Sequence, residues 1–209
     1  MASSLTGIFG GTFDPPHLGH LILASEALAQ LGLERLLWLL TPNPPHKPGQ
    51  PITPLAHRLA MLRLAIADEP RFEISEVEIN RPGPHYTVET LRLLKEANPA
   101  GGLVYLMGGD SLRDLPTWRE PGEILRLCHF LGVMRRPQDA VDLTALEMAL
   151  PGLAEKVHFV EVPLLEISSR QVRQRVARGD AFRYYLHPAV YDYIQRNGLY
   201  RQGAQPTVE

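Results

Sequence analysis

A chain of 209 residues with 44% hydrophobic side chains is the size of one medium globular domain with a substantial core, so a second independent domain is not expected. A single cysteine, Cys128, excludes an internal disulfide framework; no basic-then-apolar leader or membrane-spanning apolar run is evident, and a soluble cytoplasmic protein is expected. The formal net charge of -2 excludes a global basic field for nucleic acid, although His46-Lys47 and the run from Arg170 to Arg178 could bind small anions.

In chain order, Leu5 to Phe9 reads as a strand and Leu18 to Leu31 as a helix. Leu36 to Leu40 is the next strand, followed by a helix over Pro54 to Ala67 with Thr53 as its cap and Pro54 in its first turn. Phe72 to Ile79 reads as a strand, and Thr87 as the cap of a helix through Ala97. Leu103 to Met107, Phe130 to Met134 and Val157 to Val162 read as further strands, the last before a helix from Ser169. A final helix has Pro188 in its first turn, runs to Asn197 and stops at Gly198. Repeated βα units with right-handed crossovers predict a doubly wound, Rossmann-like α/β fold: a mostly parallel sheet with helices on both faces. One domain over 1–201 is expected, with a frayed tail over 202–209.

In such sheets ligands bind beyond the carboxyl ends of the strands. The unusual residues fall there: Gly10 to His20 after the first strand, His46-Lys47 after the second, and Pro84-His85-Tyr86-Thr87 after the third. Gly108-Gly109-Asp110-Ser111 follows the fourth and Ile167-Ser168-Ser169 the last. The segment Thr41 to Pro54 is long for a connection, which points to a functional loop rather than a surface spacer.

GGTFDPPHLGH, from Gly10 to His20, reads as a phosphate-binding turn. Gly10 and Gly11 lack a Cβ and let backbone amides approach a ligand; Asp14 with Pro15 and Pro16 ends the turn and starts the helix. The first helical N–H groups carry partial positive charge, and His17 and His20 add donors on the same side. Each histidine alone could be serving only a local hydrogen bond; the pair behind two glycines favours the ligand reading. Other chemistries lack their patterns: neither GxGxxG nor GxxxxGK[ST] is present in the first turn, no HExxH or cysteine cluster supports zinc, and Ser168-Ser169 has no GxSxG elbow.

The same stretch resembles the signature of the HxGH nucleotidyltransferase superfamily, and the chain as a whole resembles the bacterial nicotinate mononucleotide adenylyltransferases within it. Also similar to that family are PPHK at Pro44 to Lys47, YTVETL at Tyr86 to Leu91, GGDS then LPTW between Gly108 and Trp118, MRRP at Met134 to Pro137, and ISSRQVR at Ile167 to Arg173. The closing YLHPAVYDYIQRNGLY, Tyr185 to Tyr200, extends the resemblance over nearly the whole chain.

The resemblance implies adenylyl transfer from ATP to nicotinate mononucleotide, giving deamido-NAD and pyrophosphate. His17, His20 and Arg173 would be catalytic. ATP would be held by Gly10, Gly11, Thr12, His20, Lys47, Gly108, Asp110, Ile167, Ser168, Ser169 and Arg173. Gly108 and Asp110 would lie near the adenosine, Asp110 accepting from ribose hydroxyls unless it is only an acidic helix cap. The mononucleotide would meet Phe13, His46, Lys47, Tyr86, Thr87 and Trp118, with the pyridine stacked on Trp118 and its carboxylate near Thr87. Mg2+ would ride on the ATP phosphates with no protein cage, and neither nucleic acid nor a membrane is an expected partner.

Two positions depart from the family: Arg170 replaces a small hydroxyl residue and either contacts phosphate or faces solvent, and Gly109 replaces a frequent alanine. The alternatives are a relative acting on nicotinamide mononucleotide or another phosphate acceptor, and a non-catalytic nucleotide-binding regulator. The regulator would be expected to lose donors such as His20 or Arg173.

Overall fold

The structure, a computed structural model, describes residues 4–42, 52–135 and 141–201. Six strands, β1 (Leu5–Gly11), β2 (Arg35–Leu40), β3 (Phe72–Ser75), β4 (Gly102–Gly108), β5 (Phe130–Arg135) and β6 (Val157–Glu161), pair in the order β3-β2-β1-β4-β5-β6. Every pairing is parallel. The order reverses between β1 and β4, where Ile8 sits between Leu37 and Tyr105, so the crevice at that switch point opens beyond Gly11 and Gly108.

The helices are α1 (Leu18–Gln30), α2 (Leu55–Ile66), α3 (Thr87–Ala97), α4 (Gly109–Asp114), α5 (Pro121–Leu127), α6 (Leu143–Ala149), α7 (Leu153–Lys156), α8 (Ser169–Arg178) and α9 (Pro188–Arg196). Side chains alternate across each strand and sort into two cores. Phe9, Trp38, Leu40, Val104, Leu106 and Val160 pack under α1, α2, α8 and α9, contributing to one cluster with Leu28, Met61, Val172 and Ile194. Ile8, Leu39, Leu103, Met107 and Val133 belong to the other, with Leu91, Leu112, Ile124, Leu146 and Leu153 from α3 to α7. The expected doubly wound architecture, with helices on both faces, is what the chain adopts.

Several local expectations are corrected. Pro54, not Thr53, is the N-cap of α2. Thr53 instead gives its N–H to Asp14 Oδ2 (3.2 Å) and its carbonyl to Arg58 Nε (2.9 Å), a tertiary use that outweighs its capping preference. Helix α3 begins at Thr87 itself, with Tyr86 as its N-cap, and the Thr87 side chain bonds Tyr105. Strand β3 stops at Ser75; Val77 and Ile79 alternate like strand residues but lie in a turn, packing on opposite cores. Helices α5 to α7 have no counterpart among the expected elements, and α4 only the helix cap weighed at Asp110. Ser168 caps α8, accepting the Gln171 N–H at 3.2 Å. Pro188 opens α9, and Gly198 follows it at φ 59°, a left-handed position that suits glycine.

Candidate active site

The turn leaving β1 runs straight into α1, whose N-cap is His17. The His17 N–H donates to His20 Nδ1 at 3.1 Å, so that nitrogen carries no proton and Nε2 must carry one in the neutral ring. Phe13 meets the His20 ring edge-on at 5.1 Å, Phe9 lies 6.2 Å away, and the His17 ring lies against it at 3.7 Å with its plane tilted by 30°. His20 is thereby a neutral donor with a fixed direction.

His17 is only 6% exposed, and burial pulls its pKa down to about 4, so it is neutral at pH 7. Its ring closes a capping box with His20 across the first turn of α1, although Nδ1 makes no hydrogen bond of normal geometry among the described residues. A Cβ on Gly19 would stand 3.0 Å from that Nδ1, which explains the glycine in HLGH: it leaves the ring room against the first turn.

Helix α8 docks onto the same turn. Arg173 Nη1 donates to the Asp14 carbonyl at 2.7 Å, and Ser169 Oγ donates to the Pro15 carbonyl at 2.8 Å. The Ser169 hydroxyl proton is therefore committed to the protein. The Ser168 hydroxyl, which accepts from Gln171, keeps its own proton available, as do the first amides of α8, which have no intrahelical acceptor. His17, Gly19, His20, Ile167, Ser168, Ser169, Arg170 and Arg173 line a cleft of about 530 Å³ with Val162 and Leu165. Arg170 is exposed at its edge.

A second cleft of about 840 Å³ is lined by Gly10, Gly11 and Thr12 from the first half of the turn, with Tyr86, Thr87, Tyr105, Asp110 and Trp118. The turn thus serves both clefts, its glycines facing one and its histidines the other. Trp118 is half-buried and meets Tyr105 edge-on at 6.2 Å; the Arg119 guanidinium lies 5.0 Å over the Tyr86 ring. Burial pushes the Tyr105 hydroxyl up to about 12, keeping it protonated.

The structure brings together most of the residues singled out from sequence, with two revisions. Phe13 does not line either cleft: it is 2% exposed and packs beneath His20, because φ of 46° turns its ring under the loop. A Cβ on Gly11 would come within 2.8 Å of that ring, so Gly11 makes room for Phe13 as well as for a ligand. Asp110 is the second residue of α4 and not its N-cap, which is Gly108; it lines the larger cleft, whereas the α8 donors line the smaller one. His46 and Lys47 lie outside the described residues.

Residues that sequence reasoning missed sit deeper in the larger cleft. Tyr105 interrupts the apolar run of β4, a signal that was present. Glu78 also lines that cleft, beside His85 and Thr90 from stretches already marked in the sequence; Thr90 Oγ1 donates to Glu78 Oε1 and accepts from Arg81 Nη2, both at 2.9 Å. Burial, helped by Arg81 and opposed by Glu78, lowers the His85 pKa. Glu78 and Arg81 carry no motif that distinguishes them from surface charges.

A family model described as cytidylyltransferase-like matches residues 8–175. A probable nicotinate-nucleotide adenylyltransferase of Thermomicrobium roseum is 50% identical over 98% of this chain and 96% of its own. One from Roseiflexus castenholzii is 49% identical over 96% of this chain and 100% of its own. Among solved structures, the Plasmodium falciparum nicotinic acid mononucleotide adenylyltransferase complexed with NaAD has a TM-score of 0.77 at 20% identity, over 94% of this chain and 97% of its own, a likeness of fold. With half its residues shared along nearly its full length, the chain belongs to the nicotinate-nucleotide adenylyltransferase family of cytidylyltransferase-like proteins.

Proposed function

We infer that the chain transfers the adenylyl group of ATP to nicotinate mononucleotide, releasing pyrophosphate and forming deamido-NAD, a step of NAD biosynthesis. The observation that carries this reading is the fixed donor set at one turn: His20 Nε2–H, the α8 start and Arg173, all beside the α1 N-terminus. The attacking group is a phosphate that is already ionised, so no protein base has to take a proton. The enzyme has to hold two anions in line and stabilise charge growing on the phosphoryl oxygens and the departing pyrophosphate.

We assign the triphosphate to the smaller cleft and its junction with Gly10 to Thr12. There the amides of the turn and of α8, the Ser168 hydroxyl, His17, His20 and Arg173 would surround it. The mononucleotide would occupy the larger cleft, its ring against Trp118 and its carboxylate toward the start of α3 at Thr87. Asp110, which lines that cleft, would accept from the ribose hydroxyls of the adenosine. Lys47 and His46 would add cationic contacts from their loop.

Among the described residues no group of three His, Cys, Asp or Glu side chains is placed to hold a metal ion. Mg2+ keeps most of its water shell, so we place it on the ATP phosphates, where it would offset charge on the leaving pyrophosphate. No described helix is long and apolar enough to cross a membrane, and an ATP-dependent reaction with a lone buried thiol suits the cytoplasm.

The test is pyrophosphate release by the purified chain with ATP, Mg2+ and either nicotinate or nicotinamide mononucleotide. Faster release with nicotinate is expected; preference for the amide, or no release with either, refutes the reading.

A further inference from the structure

Arg58, on α2, is the buried group that the reaction does not use. Its guanidinium is 2% exposed, yet it lines neither cleft. Nη1 donates to the Thr12 carbonyl at 3.1 Å and to the Thr41 carbonyl at 2.9 Å; Nη2 donates to Pro42 at 2.8 Å and Nε to Thr53 at 2.9 Å. One side chain thus ties together the phosphate turn, the exit of β2 and the entry to α2. Its charge is balanced by Asp14, the turn's own carboxylate.

Asp14 is itself held. Its Oδ1 accepts the Tyr200 hydroxyl at 2.7 Å, its Oδ2 accepts the Thr53 N–H at 3.2 Å, and its carbonyl takes Arg173. Tyr200 lies after the last helix, 186 positions along the chain from Asp14. Burial and the neighbouring carboxylate push its hydroxyl well above the usual phenol range, so it remains a proton donor to Asp14 at any working pH.

We propose that Arg58, Asp14 and Tyr200 are positioning residues for adenylyl transfer: a clamp through which the C-terminal segment fixes the turn that carries the phosphate donors. A buried cation satisfied by backbone carbonyls is an expensive way to fill space, since apolar residues of similar volume are commonly as stable. Its return is direction. Four carbonyls and one carboxylate are set at fixed distances, which aligns the Gly10–Thr12 amides and, through the Asp14 carbonyl, Arg173. Misplacement of a reacting group by about 1 Å costs on the order of a hundredfold in rate, so small loosening of this turn is legible in kcat.

The proposal rests on the adenylyltransferase reading for its kinetic measurement and not for its structural one. Tyr200→Phe keeps the ring and removes only the proton given to Asp14. Arg58→Lys keeps the charge but cannot reach four carbonyls, and serves as the second variant. The full-length variants are compared with wild type well below their melting temperatures. For both, kcat is expected to fall about tenfold or more while KM for ATP and mononucleotide stays within about threefold. Backbone amides of residues 10–17 are expected to exchange with solvent deuterium several-fold faster than in wild type.

Unchanged kcat in Tyr200→Phe overturns the proposal whatever happens to its melting temperature, because the contact then serves stability alone. Should wild type itself release no pyrophosphate, the functional reading fails and the exchange measurement decides the clamp: faster exchange at residues 10–17 upholds it and unaltered exchange overturns it.

Discussion

Replacing His20 by Ala removes two things that the structure separates. The first is the acceptor for the His17 N–H, a 3.1 Å bond at the start of α1. Losing such a terminal interaction costs about 1 kcal/mol of stability. The second is the Nε2–H donor, held in direction by Phe13 at 5.1 Å and by the tilted His17 ring at 3.7 Å. A preorganised donor aimed at developing charge contributes about 3–4 kcal/mol to the transition state, or roughly a hundredfold to a thousandfold in kcat. Ground-state ATP binding should lose far less, because on the proposed assignment the phosphate oxygens would retain the α8 amides and Arg173. The assay is pyrophosphate release at saturating substrates, beside calorimetric ATP titration and urea unfolding. His20→Asn sharpens the comparison: its amide oxygen can take the place of Nδ1 as acceptor, but no donor reaches the Nε2 position. That variant should recover stability without recovering turnover. If kcat is unchanged in His20→Ala, or if His20→Asn restores it, the assignment of Nε2–H as the donor is wrong.

Trp118→Ala should raise KM for the mononucleotide about tenfold to a hundredfold, the range of one lost aromatic stacking contact, and leave KM for ATP near wild type; equal losses for both substrates would show a packing role only. His17 titrates at about 4 in the folded chain against 6.5 when unfolded, so protonation favours the unfolded state. Its influence is absent above pH 6.5, grows as pH falls toward 4, and amounts to about 2.5 kcal/mol at pH 4.5. Urea unfolding of wild type should therefore lose that much more than His17→Gln between pH 7 and pH 4.5, and parallel losses would contradict it. Cys128 is 1% exposed, and burial pushes its thiol up to about 12; iodoacetamide should label it only on unfolding, and prompt labelling of native protein would refute its burial.

The parts of the fold that were legible in sequence are those governed by local pattern. Short apolar runs marked the strands at Leu5 to Phe9 and Leu36 to Leu40, and proline and glycine marked the ends of the last helix at Pro188 and Gly198. The short helices between Gly109 and Lys156 were not legible. Helices of 4 to 7 residues provide no sustained period, and α6 and α7 are held by single buried anchors, Leu146 and Leu153. Thr53 and Thr87 misled for a different reason. Each has the chemistry of a cap, but distant partners, Asp14 and Tyr105, had a stronger claim on them. The motif residues His17, His20, Ser168 and Arg173 do converge, whereas Phe13 was misjudged because its left-handed backbone, invisible in sequence, turns it inward. Arg58 reads as one more cation on an amphipathic helix until its four carbonyl partners are seen.

The electrostatics of the site follow from how closely its histidines are packed. Rings 3.7 Å apart cannot both carry charge cheaply, and burial keeps His17 neutral. The pair therefore supplies direction, and positive charge has to come from elsewhere at the same turn. Arg173 would provide it from α8, a helix far along the chain from the turn that is fastened to it through the carbonyls of Asp14 and Pro15. A neutral directional donor and a separately mounted cation work together only if the turn between them is rigid. That requirement falls on residues 12–15, where the Arg58, Tyr200, Ser169 and Arg173 hydrogen bonds converge. Rigidity at this turn is thus a chemical need of phosphoryl transfer without a protein base: with no proton to move, alignment is what the fold has left to contribute.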